Sequence, residues 1–352
     1  MAASRWDGRI TSKKSSSARS SCWPWHWIGC GRDGRQHDCG LWIVDCGMKG
    51  RTSNPQSEIR NPKSAGGGAV RIVDSHVHFW DPAELHYAWL EGVPSLHRAF
   101  LPRDYAAATG QIPIGRMVFV EANCRPEEAR REVEFVERLA QQDPRVAAIV
   151  AFVDLAQGLG TRGSGLAETL DAFSTLPRVK GIRQNIQGQP AGFCRQRAFV
   201  DGVRAVGRCG LVFDLCATHD QLSEVVDLVH DCPETRFVLD HCGKPGIRER
   251  SFEPWTEWVA RLAAHDTVCC KVSGLLTEAA EAWCPEDLLP YAARVVECFG
   301  PERVLYGSDW PVLTLAGDYG TWYGFTERFT RGWSPADRSR FYGDNAARVY
   351  GL

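Results

Sequence analysis

The stretch Ile72-Val73-Asp74-Ser75-His76-Val77-His78-Phe79-Trp80 begins as a short apolar run and ends with two histidines that lie two residues apart. The apolar start is typical of a buried strand. Because side chains in a strand alternate between its two faces, His76 and His78 are predicted to point the same way. Two imidazoles at one strand end can bind a metal ion or an oxyanion, although hydrogen-bonded structural histidines show the same spacing.

From Val70 onward the chain alternates between strand, loop and helix. The seven further predicted strands cover residues 116–121, 146–155, 179–184, 211–216, 236–241, 268–273 and 304–309. The predicted helices cover residues 127–142, 165–176, 196–208, 220–230, 255–264, 285–299 and 335–350. Eight strands with intervening helices in about 280 residues predict an α/β protein, a (β/α)8 TIM barrel. A doubly wound sheet is the alternative, but no G-x-G-x-x-G turn follows an early strand.

The region before the barrel has a different composition. Residues 1–69 carry 11 basic and 5 acidic side chains, and residues 70–352 carry 30 basic and 38 acidic side chains. The first region shows no helical or strand period and ends in the linker-like stretch 61–68, rich in Gly and Ser. We therefore predict a poorly ordered basic extension at 1–69 and one domain at 70–352. A translation start at Met48, or a basic targeting or binding arm, remains open.

Overall composition narrows the classes of partner and compartment. The formal net charge of −2 gives no reason to expect nucleic acid, and no apolar run is long enough for a transmembrane helix. The 14 cysteines are scattered without a Cys-x-x-Cys pair, and no secretory signal is present. A small zinc or disulfide module among the cysteines of residues 1–69 stays open. We expect a cytoplasmic protein that acts on a small molecule; the sequence does not indicate an oligomeric state.

The carboxyl ends of barrel strands form the mouth where such enzymes place their active sites. Chemically active side chains at those ends are His76, His78, Glu121, Arg183, His241 and Asp309. Unpaired polar groups at the ends of apolar strands are costly. These residues are therefore predicted to share one site, although Glu121 and Arg183 can also be read as charges on the barrel rim.

Four runs in the barrel, with the closing stretch 345–352, resemble the amidohydrolase superfamily. They are Asp74-Ser75-His76-Val77-His78-Phe79-Trp80-Asp81-Pro82, Lys180-Gly181-Ile182-Arg183, Leu239-Asp240-His241-Cys242-Gly243-Lys244-Pro245 and Tyr306-Gly307-Ser308-Asp309-Trp310-Pro311. The closest likeness is to its sugar-acid lactonase and pyrone-dicarboxylate lactonase branch. The resemblance covers Val70 to the C-terminus and implies a hydrolase that works with or without a metal ion.

The resemblance also bears on how many metal ions the site binds and through which residues. Many superfamily members bind zinc through a first-strand histidine pair, a fifth-strand histidine and an eighth-strand aspartate. Here the fifth strand ends in Asp214-Leu215-Cys216, and no bridging lysine stands at the end of the fourth strand. A binuclear centre is therefore not expected. We expect one divalent ion such as zinc, or none; the candidate ligands are His76, His78, Glu121, His241 and Asp309.

Residue chemistry suggests roles in opening a lactone. Asp309 is the candidate general base for the attacking water, and the three histidines would polarise the carbonyl and stabilise its oxyanion. The predicted substrate-binding residues are Arg183, Lys244, Trp80 and Trp310, the first two by hydrogen bonding and the tryptophans by stacking on a sugar ring. The predicted substrate is a sugar-acid lactone of the L-fucono or L-rhamnono type.

The sequence leaves three other functions to consider. A mononuclear-metal decarboxylase of the same superfamily is the main alternative, which the missing fifth-strand histidine disfavours. The lack of a Gly-x-Ser-x-Gly elbow disfavours a serine or cysteine hydrolase. A non-enzymatic sugar-binding barrel would be expected to lack the carboxylate at Asp309.

Overall fold

The computed structural model describes residues 71–157 and 165–352. Within these ranges eight parallel strands follow one another in sequence order around a single sheet. They are β1 Ile72–Val77, β2 Ile114–Val120, β3 Val146–Phe152, β4 Val179–Arg183, β5 Val212–Leu215, β6 Arg236–Leu239, β7 Val268–Val272 and β8 Val304–Tyr306. The predicted (β/α)8 barrel is confirmed. The extension predicted at 1–69 lies outside the described residues, and its boundary stays a prediction.

The helices surround this sheet. They are α1 Pro102–Thr109, α2 Ala129–Gln142, α3 Gly165–Ser174, α4 Arg197–Arg208, α5 Leu222–Asp231, α6 Trp255–Ala263, α7 Leu275–Glu278, α8 Pro285–Phe299, α9 Tyr319–Phe329, α10 Pro335–Ser339 and α11 Asn345–Tyr350. A π-helical turn, Arg340–Asp344, separates the last two. The helix α2 could be predicted from its hydrophobic periodicity, because Val133, Val136 and Leu139 form one buried stripe.

Contacts between the first and last strands bring the two ends of the sheet together. Val77 forms an isolated parallel bridge with Trp310. The His78 backbone N–H donates to the Trp310 carbonyl at 2.8 Å, and the Asp309 N–H donates to the His76 carbonyl at 2.9 Å. The closure therefore places the ends of β1 and β8, which lie more than 200 residues apart, next to each other.

The barrel interior has an apolar floor. A cluster of buried side chains inside the sheet includes Val73, Val118, Val212 and Leu305, and it is continuous with Tyr350 of the last helix. Strand side chains alternate in direction, so Asp214 follows Val212 on the same face of β5. Charged groups therefore lie above an apolar layer, on the way to the carboxyl ends of the strands.

Among the described residues no helix is both long enough and apolar enough to cross a membrane.

Candidate active site

The two first-strand histidines lie at the end of β1, where the strand pairing with β2 is irregular between Asp74 and Val77. His76 is fully buried and His78 is 5% exposed. The His78 Nδ1–H donates to the Val120 carbonyl at 2.8 Å, because a carbonyl oxygen can only accept. This bond leaves the Nε2 lone pair of His78 free to face the barrel mouth.

The third histidine sits in a tight turn after β6. His241, Cys242 and Lys244 all have left-handed backbone conformations, with φ of 53°, 55° and 46°. Such strained conformations persist where the surrounding structure holds them, and they cluster at functional sites. Gly274 makes room for this turn, because a Cβ there would lie 2.5 Å from the His241 Nδ1 atom. The Nδ1 atom is 2.9 Å from the Ser273 hydroxyl, so Nε2 faces the mouth.

Asp309 is the point on which these imidazoles converge. Its Oδ1 atom lies 3.7 Å from His76 Nε2, 3.3 Å from His78 Nε2 and 3.9 Å from His241 Nε2. We call His76, His78 and His241 the imidazole cluster. The structure thus brings together all four residues that the sequence analysis assigned to catalysis.

Burial and the neighbouring side chains set the protonation states of His76, His241 and Asp309. Burial holds the pKa of both His76 and His241 well below the usual 6.5, because the interior disfavours the imidazolium form. Burial alone would raise the pKa of Asp309, but the neighbouring His241, His78 and Lys244 together outweigh it, and the pKa is lowered. At neutral pH His76 and His241 are therefore neutral and Asp309 is a carboxylate.

Below the imidazole cluster lies a set of buried ions that we call the charged layer: Glu121, Arg183, Asp214, Asp240 and Lys271. The Arg183 Nε–H donates to the Glu121 Oε1 at 2.7 Å. The Arg183 Nη1 atom lies 3.3 Å from Asp240 Oδ2. Lys271 Nζ is 2.6 Å from Asp214 Oδ2 and 2.9 Å from Asp240 Oδ1. Every cation in this layer therefore contacts two carboxylates.

Mutual attraction keeps this layer charged. Burial would lower the pKa of Lys271, but Asp214 and Asp240 outweigh it and raise that pKa. Burial would raise the pKa of Asp240, but Lys271 and His76 drive it well below its usual range. The pKa of Asp214 rises to about 6, because burial and Asp240 outweigh the attraction of Lys271. At neutral pH all three side chains are predominantly ionised.

The site has the properties of a metal-binding site. His76, His241 and Asp309 each offer one ligand atom, and these atoms all lie within 4.8 Å of one another. A tetrahedral zinc ion with bonds of about 2.1 Å needs ligand separations of about 3.4 Å, close to those around Asp309 Oδ1. Three carboxylates and two cations in the charged layer, together with Asp309, leave a net charge of −2. A divalent cation would neutralise it, so the residues fit such an ion.

Glu121 and Arg183 lie beside this group but are already paired with each other. The two oxygens of Glu121 accept from the Arg183 Nε–H and from the Asn123 backbone N–H. Arg183 Nη1 approaches His76 Nε2 to 3.4 Å. Glu121 is not part of the mutually close ligand group found among the described residues. Its predicted role as a ligand, and the role of Arg183 in substrate binding, stay predictions.

The remaining predicted substrate-binding residues line the site differently. Lys244 Nζ lies 3.4 Å from Glu278 Oε1. Trp80 is fully buried, and its indole N–H is directed at the carbonyls of Leu96 and Arg98. The ring of Trp310 packs edge-to-face against Phe79, Phe100 and Tyr105. Both indoles therefore form part of the wall, and their stacking on a sugar ring stays a prediction.

Comparison with known proteins assigns this chain to a protein family. The sequence profile described as "Amidohydrolase" matches residues 73–352, the whole barrel. The chain belongs to the amidohydrolase family. This amidohydrolase is an enzyme of the hydrolase type, in the lactonase-like branch of the superfamily, as its motifs predicted.

Three relatives illustrate the branch. An L-fucono-1,5-lactonase from Burkholderia ambifaria is 31% identical over 79% of this chain and 94% of its own length. A 2-pyrone-4,6-dicarboxylate hydrolase from Comamonas testosteroni is 25% identical over 68% of this chain and 76% of its own. The crystal structure of an amidohydrolase from Burkholderia multivorans with bound zinc is 31% identical, covers 80% of this chain and 99% of its own, and has a TM-score of 0.71.

Sequence reasoning missed the part of the charged layer that lies inside the barrel. Asp214, Asp240 and Lys271 are fully buried in this amidohydrolase. The available signal was their position, because each is a charged residue within or directly after an otherwise apolar strand. A charge buried in this way has to be paired. The partners come from different strands, so the sequence could indicate that partners exist but not which residues they are.

Proposed function

We propose that this chain hydrolyses the ring ester of a small sugar-acid lactone, of the L-fucono or L-rhamnono type. The observation that carries the proposal is the convergence of three imidazole Nε2 atoms on one carboxylate oxygen, at 3.3 to 3.9 Å. The similarity to an L-fucono-1,5-lactonase over nearly the whole length of that relative supports the substrate class.

Asp309 is the proposed general base. Among the described residues, the close contacts of its carboxylate with histidines all involve Oδ1. Oδ2 is therefore available to take a proton from water while the water oxygen attacks the lactone carbonyl carbon. As the ring C–O bond breaks, Asp309 returns that proton to the leaving ring oxygen. The product is an open-chain hydroxy acid, and the carboxylate is ready for the next turnover.

The imidazole cluster has the complementary role of holding a cation that would stabilise the negative charge at the carbonyl oxygen, because an Nε2 lone pair cannot donate to an oxyanion. When bound by His76, His241 and Asp309, a divalent ion supplies Lewis-acid polarisation of the substrate carbonyl. The residues themselves hold and orient the ligand atoms: the Val120 carbonyl and Ser273 hydroxyl each engage one imidazole Nδ1. Such outer partners fix the ring orientation and direct Nε2 into the site.

The pairing of cations near the site favours a neutral substrate. Arg183 and Lys271, the cations that contact His76, are each held by two carboxylates. Lys244 is paired with Glu278. A substrate carboxylate would have to displace one of these partners or remain unpaired, which is costly in a buried site. This favours a polyhydroxylated lactone over a dicarboxylate lactone, and it disfavours the decarboxylase alternative, whose substrate is a carboxylate.

A continuous assay with a pH indicator tests this function on the full-length protein. The substrates are L-fucono-, L-rhamnono- and galactono-lactone, with 2-pyrone-4,6-dicarboxylate as the anionic comparison, each with chelator and with added zinc. Acid release from a sugar-acid lactone, with kcat/KM at least 100-fold above that of the dicarboxylate, is the expected result. Carbon dioxide release from an aromatic acid without acid release from any lactone would overturn the proposal.

A further inference from the structure

Asn185 carries a buried polar atom that nothing in the lactone chemistry above uses. The residue follows β4, and its side-chain Oδ1 atom is buried without a hydrogen-bond partner among the described residues. Roughly nine in ten buried polar groups in folded proteins have such a partner. An exception costs free energy, because the atom has lost its contact with water and gained nothing in return. A ligand that supplies the missing hydrogen bond would recover that cost.

The direction of the Asn185 side chain follows from the alternation of side chains along β4. Arg183 points into the barrel, towards the charged layer. Ile182 and Ile186 belong to the apolar cluster that packs against the helices, outside the sheet. Side chains of an extended chain alternate between two faces, so Asn185 points inwards like Arg183. Two residues of a strand advance by about 7 Å, which places Asn185 above the charged layer, on the side of the mouth.

Hydrogen bonds of both neighbouring residues hold the backbone of Asn185 in place. The Gln184 Oε1 atom accepts from the Leu155 backbone N–H at 2.8 Å. The Ile186 backbone N–H donates to the Cys216 carbonyl at 2.9 Å, which continues the parallel pairing of β4 with β5. The carboxamide is therefore presented to the mouth from a fixed position. Such preorganised polar groups fix the orientation of a ligand at little cost in entropy.

The next strand indicates that this level of the barrel lies close to the active site. Cys216 follows β5, on the side of that strand that carries the charged layer. Burial raises the pKa of the Cys216 thiol to about 11, against the opposing charges of Lys244 and Arg183. The thiol is therefore close enough to Lys244 to feel its charge, and the Lys244 backbone N–H donates to the His241 carbonyl at 2.8 Å. Asn185, beside Cys216, faces the same part of the mouth.

We propose that Asn185 is a substrate-binding residue whose Oδ1 atom accepts a hydrogen bond from a ring hydroxyl of the lactone. This role rests on the function proposed above and assigns recognition of the substrate hydroxyls to one side chain. Oδ1 can only accept a hydrogen bond, so its partner has to be a donor. A sugar-acid lactone presents several hydroxyl donors, whereas the ionised carboxylates of a dicarboxylate lactone only accept. The competing role is structural, with the carboxamide holding the loop after β4 in shape.

Two variants remove the carboxamide. Asn185→Leu keeps the branch at Cγ without a polar atom, and Asn185→Ala avoids the added volume of leucine if the first variant does not fold. Deleting an unpaired polar atom should leave the melting temperature within about 3 °C of wild type. A fall of more than about 10 °C in both variants would establish the structural role and overturn the proposal.

The matched control is Gln196→Leu. It replaces another side-chain amide, which is exposed on the same connection between β4 and α4 and makes no capping hydrogen bond. Loss of lactone activity in this variant equal to that in Asn185→Leu would show that the effect does not depend on the position of Asn185, and would overturn the proposal.

The kinetic readout compares L-fucono-1,5-lactone with δ-valerolactone, a six-membered lactone without hydroxyl groups. In Asn185→Leu the lost hydrogen bond should raise KM for the sugar lactone on the order of 10- to 100-fold. The bond forms equally in the ground state and the transition state, so kcat should stay within about threefold of wild type. The kcat/KM for δ-valerolactone should also stay within about threefold, because that substrate has no hydroxyl to bind. An equal loss on both lactones, or an unchanged KM for the sugar lactone, would overturn the assignment.

The second readout is binding and does not require turnover. The probe is 1,5-anhydro-L-fucitol, which has the ring and the ring hydroxyls of L-fucono-1,5-lactone but no ester. Isothermal titration calorimetry on the full-length protein should give a Kd about 10- to 100-fold higher in Asn185→Leu than in wild type. The Kd should be unchanged in Gln196→Leu. Equal Kd values in wild type and Asn185→Leu would overturn the proposal.

These measurements separate failure of this inference from failure of the proposed function. If the wild type opens the sugar lactone and Asn185→Leu does so with the same KM, the role of Asn185 fails and the lactonase function stands. If the wild type opens no sugar lactone, the lactonase function fails, and the polyol titration decides whether Asn185 belongs to a hydroxyl-binding site. If the wild type neither opens the lactone nor binds the polyol, both fail.

Discussion

Asp309 adopts a left-handed backbone conformation, with φ of 63°, in the turn that follows β8. Aspartate and asparagine tolerate this region better than other residues with a Cβ. Asp309→Asn should therefore fold normally. We expect kcat on a lactone to fall by about 10²- to 10⁴-fold, the usual contribution of a general base. Steady-state kinetics with a thermal melt check both parts, and the exposed change Glu91→Gln serves as the control.

Retained activity in Asp309→Asn would remove this residue from the base role. A large loss of thermal stability in the same variant would contradict the statement that asparagine suits the turn.

Gly274 is a second residue at which a small change should have a large effect. Its φ is 64°, and a Cβ there would lie 2.7 Å from His241 Cγ, so neither the backbone nor the imidazole can stay in place. Because a displacement of about 1 Å in an active site can cost about 100-fold in rate, we expect Gly274→Ala to lower kcat/KM by about that factor. The measurement is lactone kinetics alongside the melting temperature.

The matched control for Gly274→Ala is Gly324→Ala in α9. There the new methyl group would meet nothing within 4 Å, and alanine favours a helix over glycine by about 1 kcal/mol. Equal activity losses in the two variants would show that the space beside His241 is not the reason for the effect.

Among the secondary-structure elements, the strands could be predicted from the sequence, because parallel strands in a barrel are buried on both faces and appear as apolar runs. The helices α1, α7 and α9 were not predicted. The α9 sequence contains Gly320 and Gly324 with many aromatic side chains, so its local propensity is poor. Its buried residues include Tyr319 and Trp322, and the Tyr319 hydroxyl donates to Asp74 of β1 at 2.9 Å. Tertiary packing therefore stabilises a helix that its sequence only weakly favours.

The helix α2 carries a buried carboxyl group that should make the stability of the fold depend on pH. Burial, with the nearby charge of Glu121, raises the pKa of Glu132 to about 8, and its Oε1 accepts from the Ala122 N–H. The unfolded chain should lose this proton near the ordinary value of 4.5. The contribution to stability is therefore complete below pH 4.5, and it is lost as pH rises through 8.

We accordingly expect Glu132→Gln to remove part of this pH dependence. In the wild type, Glu132 should lower the free energy of unfolding by up to about 1.4 kcal/mol per pH unit across that range. Glutamine keeps the acceptor oxygen without the titration, so the variant should gain stability relative to wild type as pH rises. Urea unfolding from pH 5 to 9 measures this effect, and Glu134→Gln, exposed on the same helix, is the control. Parallel curves for wild type and Glu132→Gln would contradict the raised pKa.

At the scale of the whole molecule, an ion at the site would join β1, the turn after β6 and the turn after β8. Binding to the folded state alone should stabilise the entire barrel, by about 2.7 kcal/mol when the free ion is at 100 times Kd. We expect zinc to raise the melting temperature of chelator-treated protein by on the order of 5 °C. Differential scanning calorimetry measures the shift. His241→Gln removes one ligand and is the control, because an equal shift in that variant would place the bound zinc elsewhere.

The barrel and the residues at its mouth could be predicted from local sequence patterns. Apolar runs of strand length, separated by helical stretches, are a local property, and an aspartate or histidine at the end of such a run is conspicuous. The sequence therefore indicated which residues stand at strand ends, namely His76, His78, His241 and Asp309. Their assembly around the Asp309 Oδ1 atom follows from the barrel topology, which brings the strand ends together.

The pairing of the buried charges could be seen only in the folded barrel. The contacts of Lys271 with Asp214, Asp240 and His76 cross up to 195 residues of sequence, and no local pattern selects such partners. The same holds for Arg183, which the sequence suggested for a substrate and the fold pairs with Glu121 and Asp240. The physical reason is that local propensity acts over a few residues, whereas the electrostatic partner of a buried ion depends on the distances that barrel closure creates.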